Sequence, residues 1–444
     1  MSRIPAGVWP HLAPLLVCLS LACPGAGAPP PRAPTPAPRV AREVSLEDLL
    51  AHAARHAPSL TLLERRRAYG SAQRILAAPP FPRNPTVELR AGPRFEGSAR
   101  ALDYSASLAQ AVDLAGARGA RLGVATRMAA RHDAELAAAR WQVRRDVTVA
   151  FHAAVIGRER ARLARRAVEF AREVLDVARR RAEAGDAALV DVRVAEADLA
   201  QARRAELAAE QAGHAARLVL ADVAGWEPAA PPVVPDRLPG PAPVPALVRV
   251  LDAARERHPE LRARHAAVSE ASARVALAER ETRAVPVVGV ELGREGSPRG
   301  AASHLVLGTL EVELPIWQTN RGQQARRRAD LEVARAEEAL AARSLRLRIL
   351  QAHAAVVAAA AQVTLLRAAV AAPLEENLAL LRRGFAAGEL PLLDVTAARE
   401  RFLAFERDAV DAHDEYYRAL AELEYVVGAP LARAVGGAVA RGAR

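Results

Sequence analysis

The sequence predicts a mainly α-helical fold with a small β part, built from duplicated long antiparallel helical hairpins and four β-strands per chain. The 444-residue chain repeats itself, because the turn around Gly185 returns around Gly388, 203 residues later. Long stretches rich in Ala and Arg flank each turn, and an aromatic content of only 4% is low for one compact core. Short segments that alternate apolar and polar residues precede these stretches, which indicates β-strands.

Residues 1–28 predict a secretory signal segment. Their apolar stretch, residues 12–22, is shorter than a membrane-spanning helix and fits the central region of a signal peptide. Both cysteines of the chain, Cys18 and Cys23, lie in this segment, so the mature body forms no disulfide. Two processing routes stay open: lipidation at Cys23, as in a lipoprotein, or cleavage near residues 26–28.

Proline-rich stretches divide the rest of the chain. Residues 29–42 form a first linker, and residues 227–245 form a second one between two halves of similar length. The first repeat therefore covers residues 43–226 and the second covers residues 246–431. A short tail, residues 432–444, follows. One architectural unit is thus expected twice in the chain.

Each repeat is expected to open with one helix of about thirty residues, at residues 46–78 and 246–283. Two strands follow in each repeat. The longer strand of the first repeat has an apolar face with Leu102, Tyr104, Ala106, Leu108, Val112 and Leu114 and a polar face with Asp103, Ser105, Ser107 and Asp113. Its counterpart in the second repeat has an apolar face with Val306, Leu310, Val312 and Leu314 and a polar face with Ser303, Thr309, Glu311 and Glu313.

This alternation is typical of transmembrane β-barrel strands, and equally of a half-buried sheet in a soluble domain. The export signal and the duplication favour the barrel. Four strands cannot close a barrel, and an open sheet in lipid leaves unpaired backbone groups at its edges. Several chains are therefore expected to share one barrel, and three chains would supply about twelve strands.

The long helices follow the strands. Residues 117–184 contain no proline and would reach about 100 Å as one helix. A turn and a helix ending near Gly225 come next. The second repeat predicts helices over residues 322–387 and 393–427, with a kink at Pro373. The two shorter helices of each repeat, laid end to end, equal the long one, as an even-walled cylinder of helices requires.

The duplicated turns carry the candidate functional residues. Gly185 and Gly388 are expected to adopt the left-handed conformation that ends a helix. Asp191 and Asp394 follow at equal spacing, where a carboxylate stabilises the first turn of the next helix. This local account explains one copy of the turn. Several copies around one axis would instead form an aperture.

In this order, and duplicated, five segments make the chain resemble the TolC-like outer-membrane efflux protein family: RNPTVEL (83–89), SLAQAVDLAGARGAR (107–121), AGDAALVD (184–191), LPIWQTNRGQQAR (314–326) and AAGELPLLDV (386–395). The resemblance implies a homotrimer with a twelve-stranded β-barrel in the outer membrane and a periplasmic tunnel of twelve helices. It further implies a passive channel that docks to a periplasmic adaptor protein and an inner-membrane RND-type pump. The LPIWQTNRG segment resembles the branch that exports heavy-metal cations of the cobalt–zinc–cadmium type.

The resemblance also implies roles for residues at the turns. Asp394 matches an acidic gate position, and Asp191 is its counterpart in the first repeat; both would form carboxylate rings at the periplasmic aperture. The family has a second acidic position one helical turn later, and this chain has Ala397 there. A gate with two carboxylate rings one turn apart is therefore not expected from this chain. The expected contacts with the adaptor come from the turn residues Gly185, Ala187, Leu189, Gly388, Leu390 and Leu392.

Other function classes fit less well. The chain lacks a nucleophile motif and a phosphate-binding glycine loop, so no enzyme and no cofactor is expected. The net charge of +11 comes from Arg interleaved with Asp and Glu, and no nucleic-acid partner is expected. His52 and His56 have the spacing of a metal pair but no third ligand, which favours solvated histidines. A periplasmic adaptor and a coiled-coil protein without a pore are the alternatives, and the duplicated strands argue against both.

Overall fold

The structure, a computed structural model, describes residues 43–96, 98–235, 239–297, 300–369 and 374–431. The predicted signal segment with Cys23, the first linker, the C-terminal tail and the kink at Pro373 lie outside these residues. Nine helices and four strands are described within them. The first repeat contains α1 (Leu46–His56), α2 (Pro58–Ala77), β1 (Thr86–Glu96), β2 (Ala99–Ala111), α3 (Ala117–Glu183) and α4 (Leu189–Ala224). The second contains α5 (Leu247–Arg257), α6 (Pro259–Arg280), β3 (Val287–Glu295), β4 (Ser303–Glu311), α7 (Arg321–Ala369), α8 (Leu374–Ala386) and α9 (Leu392–Val427).

The opening helix of each repeat is two helices, so the prediction of one helix over 46–78 and one over 246–283 was wrong. Pro58 begins α2 and Pro259 begins α6. A proline has no N–H to continue a helix and forces the preceding residue out of the helical region. Accordingly Ala57 has φ −58° and ψ 125°, and His258 has φ −63° and ψ 119°. Proline is favourable at the first position of a new helix, so each break is also a start.

The long helix of the first repeat agrees closely with its prediction. It spans 67 residues, which corresponds to about 100 Å. Near its start, α2 and α6 pack against it, and further along α4 and α9 take their places. α7 and α8 also pack against α9, α8 contacts α3 as well, and α7 packs on α6. The helices of both repeats therefore form one wall in which α3 is an interior member.

The four strands form one antiparallel sheet in the order β1-β2-β3-β4. β2 and β4 are shorter than predicted, because β2 ends at Ala111 and β4 at Glu311. Both pair with Val287 at their last residue, and Pro286 precedes it without a backbone N–H to extend the ladder. Val112 and Leu114, expected on the apolar face of β2, therefore lie beyond the strand, and so do Val312 and Leu314 beyond β4.

Asp113 was also assigned to a strand face, and this was wrong. Its two carboxylate oxygens accept hydrogen bonds from the backbone N–H groups of Ala117 and Arg118, at 3.0 and 2.6 Å. These are N–H groups of the first turn of α3, which have no partner within the helix. Asp113 therefore stabilises the start of the long helix, at the point where the chain leaves the sheet.

The core is divided into three clusters along the helical wall. One lies at the turn end, between α3, α4, α8 and α9, and contains Phe170, Leu175, Val192, Phe385 and Val395. Another joins α7 and α9 to α5, and a third joins α1 to α3 and α4. Small side chains allow close packing, and an added Cβ at Gly157 of α3 would lie 2.9 Å from the Cα of Gly213 in α4. The wall is thus held by helix-to-helix contacts along its length.

Candidate channel aperture at the two helical turns

The two turns have the same backbone geometry, as the duplicated sequence predicts. Gly185 has φ +85° and Gly388 has φ +78°. Behind the first glycine, the N–H of Asp186 donates to the carbonyl of Arg181 at 2.8 Å; behind the second, Glu389 donates to Gly384 at 3.0 Å. This six-residue closure and a left-handed glycine define the Schellman motif. Both hairpins therefore end with the same reversal of chain direction.

Asp191 and Asp394 occupy the same place in their helices but have different surroundings. The carboxylate of Asp191 accepts a hydrogen bond from the N–H of Ala188 at 3.3 Å. The counterpart of Ala188 is Pro391, which has no N–H to donate. Among the described residues the exposed Asp394 carboxylate makes no hydrogen bond or ion pair. A single replacement, Ala by Pro, thus leaves the second carboxylate available to other partners.

The apolar residues of the turns are not all exposed, so the prediction that all of them form an exposed surface for the adaptor was wrong in part. Leu189 is 68% exposed, but its counterpart Leu392 is only 5% exposed and belongs to the cluster at the turn end. Ala187 and Leu390 are half-buried. The difference arises because α9 packs between α3 and α8, whereas α4 packs on one side of α3. Leu393, 75% exposed, takes the place of Leu392 at the surface.

Arg181 joins the two turns, a role that the sequence did not reveal. Its guanidinium donates to the carbonyl of Phe385 at 3.0 Å and to that of Asp186 at 3.2 Å. The same guanidinium lies over the Phe385 ring, 5.2 Å from the centroid. One side chain thus contacts the backbone of both hairpin ends.

A break in the repeat was the available signal for this role. The counterpart of Arg181 is Gly384, where a Cβ would lie 2.8 Å from Leu390. Arg181 and Gly384, which differ between the two repeats, therefore lie where the two hairpins contact each other. The glycines that both repeats share form the turns themselves.

Further contacts between the hairpins lie behind the turns. Arg399 of α9 is 6% exposed and its guanidinium lies 3.7 Å from Asp198 of α4. Arg382 of α8 pairs with Glu173 of α3. Within the first hairpin, Glu196 of α4 accepts a hydrogen bond from Arg179 of α3 at 3.0 Å, and this bond holds the pKa of its carboxyl below the usual value. The turn end is therefore joined by Arg–carboxylate pairs as well as by its apolar cluster.

The histidine pair considered from the sequence lies far from the turns. The rings of His52 and His56 are stacked with centroids 4.3 Å apart, and His52 Nε2 lies 3.1 Å from the carbonyl oxygen of Gly225. The ring of Trp226 is 4.8 Å from that of His52. Within the described ranges, no group of three or more His, Cys, Asp and Glu side chains could hold a metal ion.

The profile of the outer membrane efflux protein family matches residues 39–225 and 250–429. The chain belongs to this family. The two matched segments overlap residues 43–226 and 246–431, the two repeats that the sequence predicts. Membership makes the chain an efflux channel component, in agreement with the wall of duplicated hairpins and the small sheet.

Several known proteins are similar to this family member. Protein CyaE of Bordetella pertussis is 31% identical over 207 residues, which cover 44% of this chain and 42% of CyaE. The cobalt-zinc-cadmium resistance protein CzcC of Cupriavidus metallidurans is 28% identical over 326 residues, or 71% of this chain and 75% of CzcC. The open-state MtrE outer membrane channel of Neisseria gonorrhoeae superposes with a TM-score of 0.67 at 19% identity, over 87% of this chain and 89% of MtrE. The chain thus spans less than half of CyaE and most of the other two, and the predicted TolC-like fold is confirmed.

Proposed function

We propose that three copies of this chain form one passive channel, with a twelve-stranded barrel in the outer membrane and a periplasmic tunnel of twelve helices. The observation that carries the proposal is the open sheet. β1 and β4 each have one neighbour within the chain, so each offers an unpaired edge. In lipid such edges are not tolerated, and closing them through β1–β4 pairing between chains satisfies every strand.

The side chains of the sheet support its insertion in lipid. One face exposes large apolar residues in all four strands, among them Leu89 at 77%, Val306 at 71% and Leu310 at 69%. The opposite face carries the acidic and hydroxyl residues Asp103, Ser105, Ser107 and Glu291. A barrel with the apolar face outwards would place these polar residues around an aqueous lumen.

The edge of the helical wall supports shared assembly as well. α7 exposes Leu365 at 67% and Leu347 at 56%, away from its contact with α9. Residues 321–368 are also the one described segment that is long and apolar enough, by length and composition, to cross a membrane. A single such helix is weak evidence for a span, and the long antiparallel helices beside it have no matching apolar stretch. We assign this surface to contact with the next chain.

At the periplasmic end, the six turns of a trimer would surround the aperture. Asp191 and Asp394 would provide carboxylates that favour cations at this constriction. The exposed residues Leu189 and Leu393 would offer apolar contacts to a periplasmic adaptor, which in turn engages an inner-membrane RND-type pump. Heavy-metal cations are the proposed cargo, because the name of CzcC refers to cobalt, zinc and cadmium. Lipidation at Cys23 would add a second attachment to the membrane.

The mass and location of the extracted particle test this proposal. We expect the full-length protein in the outer-membrane fraction, and light scattering corrected for detergent to give three chains per particle. A water-soluble monomer would contradict the shared barrel and favour a periplasmic adaptor or a coiled-coil protein. As a matched pair of variants, Leu108→Arg changes the apolar face in the middle of the band and Ser107→Arg changes the polar face at the same level. Only Leu108→Arg is expected to reduce the yield in the outer membrane.

A further inference from the structure

Three side chains interrupt the apolar face of the sheet with nitrogen groups. They are Arg100 of β2, Arg294 of β3 and His304 of β4, and all three are exposed. The register pairs Arg294 with His304 on one side and with Tyr104 on the other. Arg100 lies nearer to the β1–β2 turn, opposite Phe95. These residues define a basic patch: Arg100, Arg294 and His304, accompanied by the rings of Tyr104 and Phe95.

The arginines on the two faces differ in their partners. On the polar face, Arg94 pairs with Asp103 at 2.8 Å and with Glu295 at 3.3 Å. Arg90 likewise pairs with Glu88 at 3.0 Å and with Glu291 at 3.8 Å. On the apolar face, Arg294 makes no ion pair or hydrogen bond with any described residue, and Arg100 contacts only the Phe95 ring, 5.6 Å from its centroid. The cations of the basic patch are therefore left without a counter-charge from the described chain.

The patch lies at one end of an apolar band. Two residues before Arg294 along β3 is Leu292, which pairs with Ala106 and Val306, and two residues earlier is Val290. The helices leave the sheet from the opposite end of the strands, where β2 leads into α3 and β4 into α7. With the helices in the periplasm, the patch lies at the outer leaflet, where the hydrocarbon region meets the lipid headgroups.

An unpaired arginine is tolerated on a lipid-facing strand only near that boundary. Facing the middle of the bilayer it strongly destabilises a barrel, and this destabilisation nearly disappears near the interface. Phosphate groups are the anions that a guanidinium binds best, through two parallel hydrogen bonds. A lipid that carries phosphate at this depth would supply the missing counter-charge.

We propose that the basic patch binds the phosphate-bearing headgroup of an anionic outer-leaflet lipid. Arg294 donates from its guanidinium to phosphate oxygens, and His304 donates a ring N–H to the same group. Tyr104 and Phe95 have the amphipathic and aromatic character found at membrane interfaces. Arg100 lies about 13 Å further along the strand and meets a second anionic group of the headgroup. The acyl chains pack on Leu292 and Val306.

The inference rests on the proposed barrel, and a lipid-binding experiment on the full-length protein in detergent tests it. The probe is purified lipopolysaccharide, compared with the same material after enzymatic dephosphorylation and with inorganic phosphate. Bound lipid is counted by native mass spectrometry, and the thermal midpoint of the particle is followed. We expect the phosphorylated lipid to bind and raise the midpoint, and both controls to have a much smaller effect.

Variants locate the site. Each arginine near a charged membrane surface contributes about fivefold to affinity, so Arg294→Gln with Arg100→Gln should weaken binding about 25-fold. His304→Gln should add a smaller loss. Arg94→Gln removes the same charge from the polar face at a similar level and should keep the affinity of the wild type, with its midpoint shift measured from its own baseline.

Three outcomes would overturn the inference. They are equal binding of the dephosphorylated lipid, equal protection by inorganic phosphate, and an equal loss of affinity in Arg94→Gln. Failure of the barrel is distinguishable, because the protein would then not be a trimer in the outer-membrane fraction. A trimer that reaches the outer membrane but binds no phosphorylated lipid contradicts this inference alone.

Discussion

Replacing Arg181 by Ala is expected to loosen the turn end of the channel. The guanidinium of Arg181 holds the carbonyl of Phe385 in the second hairpin and that of Asp186 in the first. Without it, these two carbonyls have no common donor, and the ring of Phe385 loses its cation. The two hairpin ends are then free to move apart, so the aperture should spend more time open.

The size of the effect follows from these contacts. A hydrogen bond from a charged donor contributes about 1.5–3 kcal/mol when shielded from water. Arg181 is half-buried, so screening reduces each bond to about 1 kcal/mol. Only the bond to Phe385 and the cation–π contact with its ring join the two hairpins, because Asp186 lies in the same hairpin as Arg181. The ring contact adds about 0.5–1 kcal/mol. Together they stabilise the joined arrangement by about 1.5–2 kcal/mol, and their loss should shift the ratio of open to closed apertures about 10–30-fold.

Single-channel recording in planar bilayers measures this ratio. Arg180→Ala is the control, because it removes an equal charge from the same turn of α3 where Arg180 is exposed. Arg181→Lys should recover only part of the effect, since one ammonium group cannot span both carbonyls as the fork does. Equal open times in Arg180→Ala and Arg181→Ala would refute the reasoning, since charge alone would then explain the change.

Three further predictions concern the same helices. Asp394→Ala should raise conductance and lower cation selectivity in bilayers; unchanged single-channel behaviour would exclude Asp394 from the gate. Leu392→Ala should lower the free energy of unfolding by about 2–3 kcal/mol and Leu189→Ala by less than about 0.5 kcal/mol, because only Leu392 is buried. Burial lowers the pKa of His152, stacked 4.1 Å from Tyr417, to about 4. The unfolded histidine binds its proton at a higher pH than the folded one. The free energy of unfolding is therefore highest above about pH 6.5 and falls by about 3 kcal/mol between pH 6.5 and pH 4. Thermal midpoints of His152→Phe should depend less on pH than those of the wild type.

Local patterns predicted the features that repeat. The glycine turns followed from Gly185 and Gly388, and the structure has a left-handed residue at both. The strand faces followed from alternation, and the length of α3 followed from the absence of proline between residues 117 and 184. Each of these features depends on the backbone or on residues nearby in the sequence, so it can be predicted from the sequence. The two helix breaks could also have been predicted, from Pro58 and Pro259.

The contacts at the turn end depend instead on which helices pack together. Leu189 and Leu392 have equal positions in the repeat, and nothing local makes one exposed and the other buried. The difference comes from the place of α9 between α3 and α8. The role of Arg181 has the same origin, because its partner Phe385 is in the other repeat, 204 residues away. The roles of Asp191 and Asp394 in an aperture stay predictions.

The pairing of β2 with β3 has a consequence for how the channel is assembled. In the proposed trimer the ring contains six similar repeats and six junctions between them. Three of these junctions lie inside single chains, where the second linker has already brought the partners together. Each association of free bodies loses about 4–15 kcal/mol of translational and rotational freedom. Duplication therefore turns a six-body encounter in a crowded membrane into a three-body one, and the junctions between chains are the steps at which assembly can still fail.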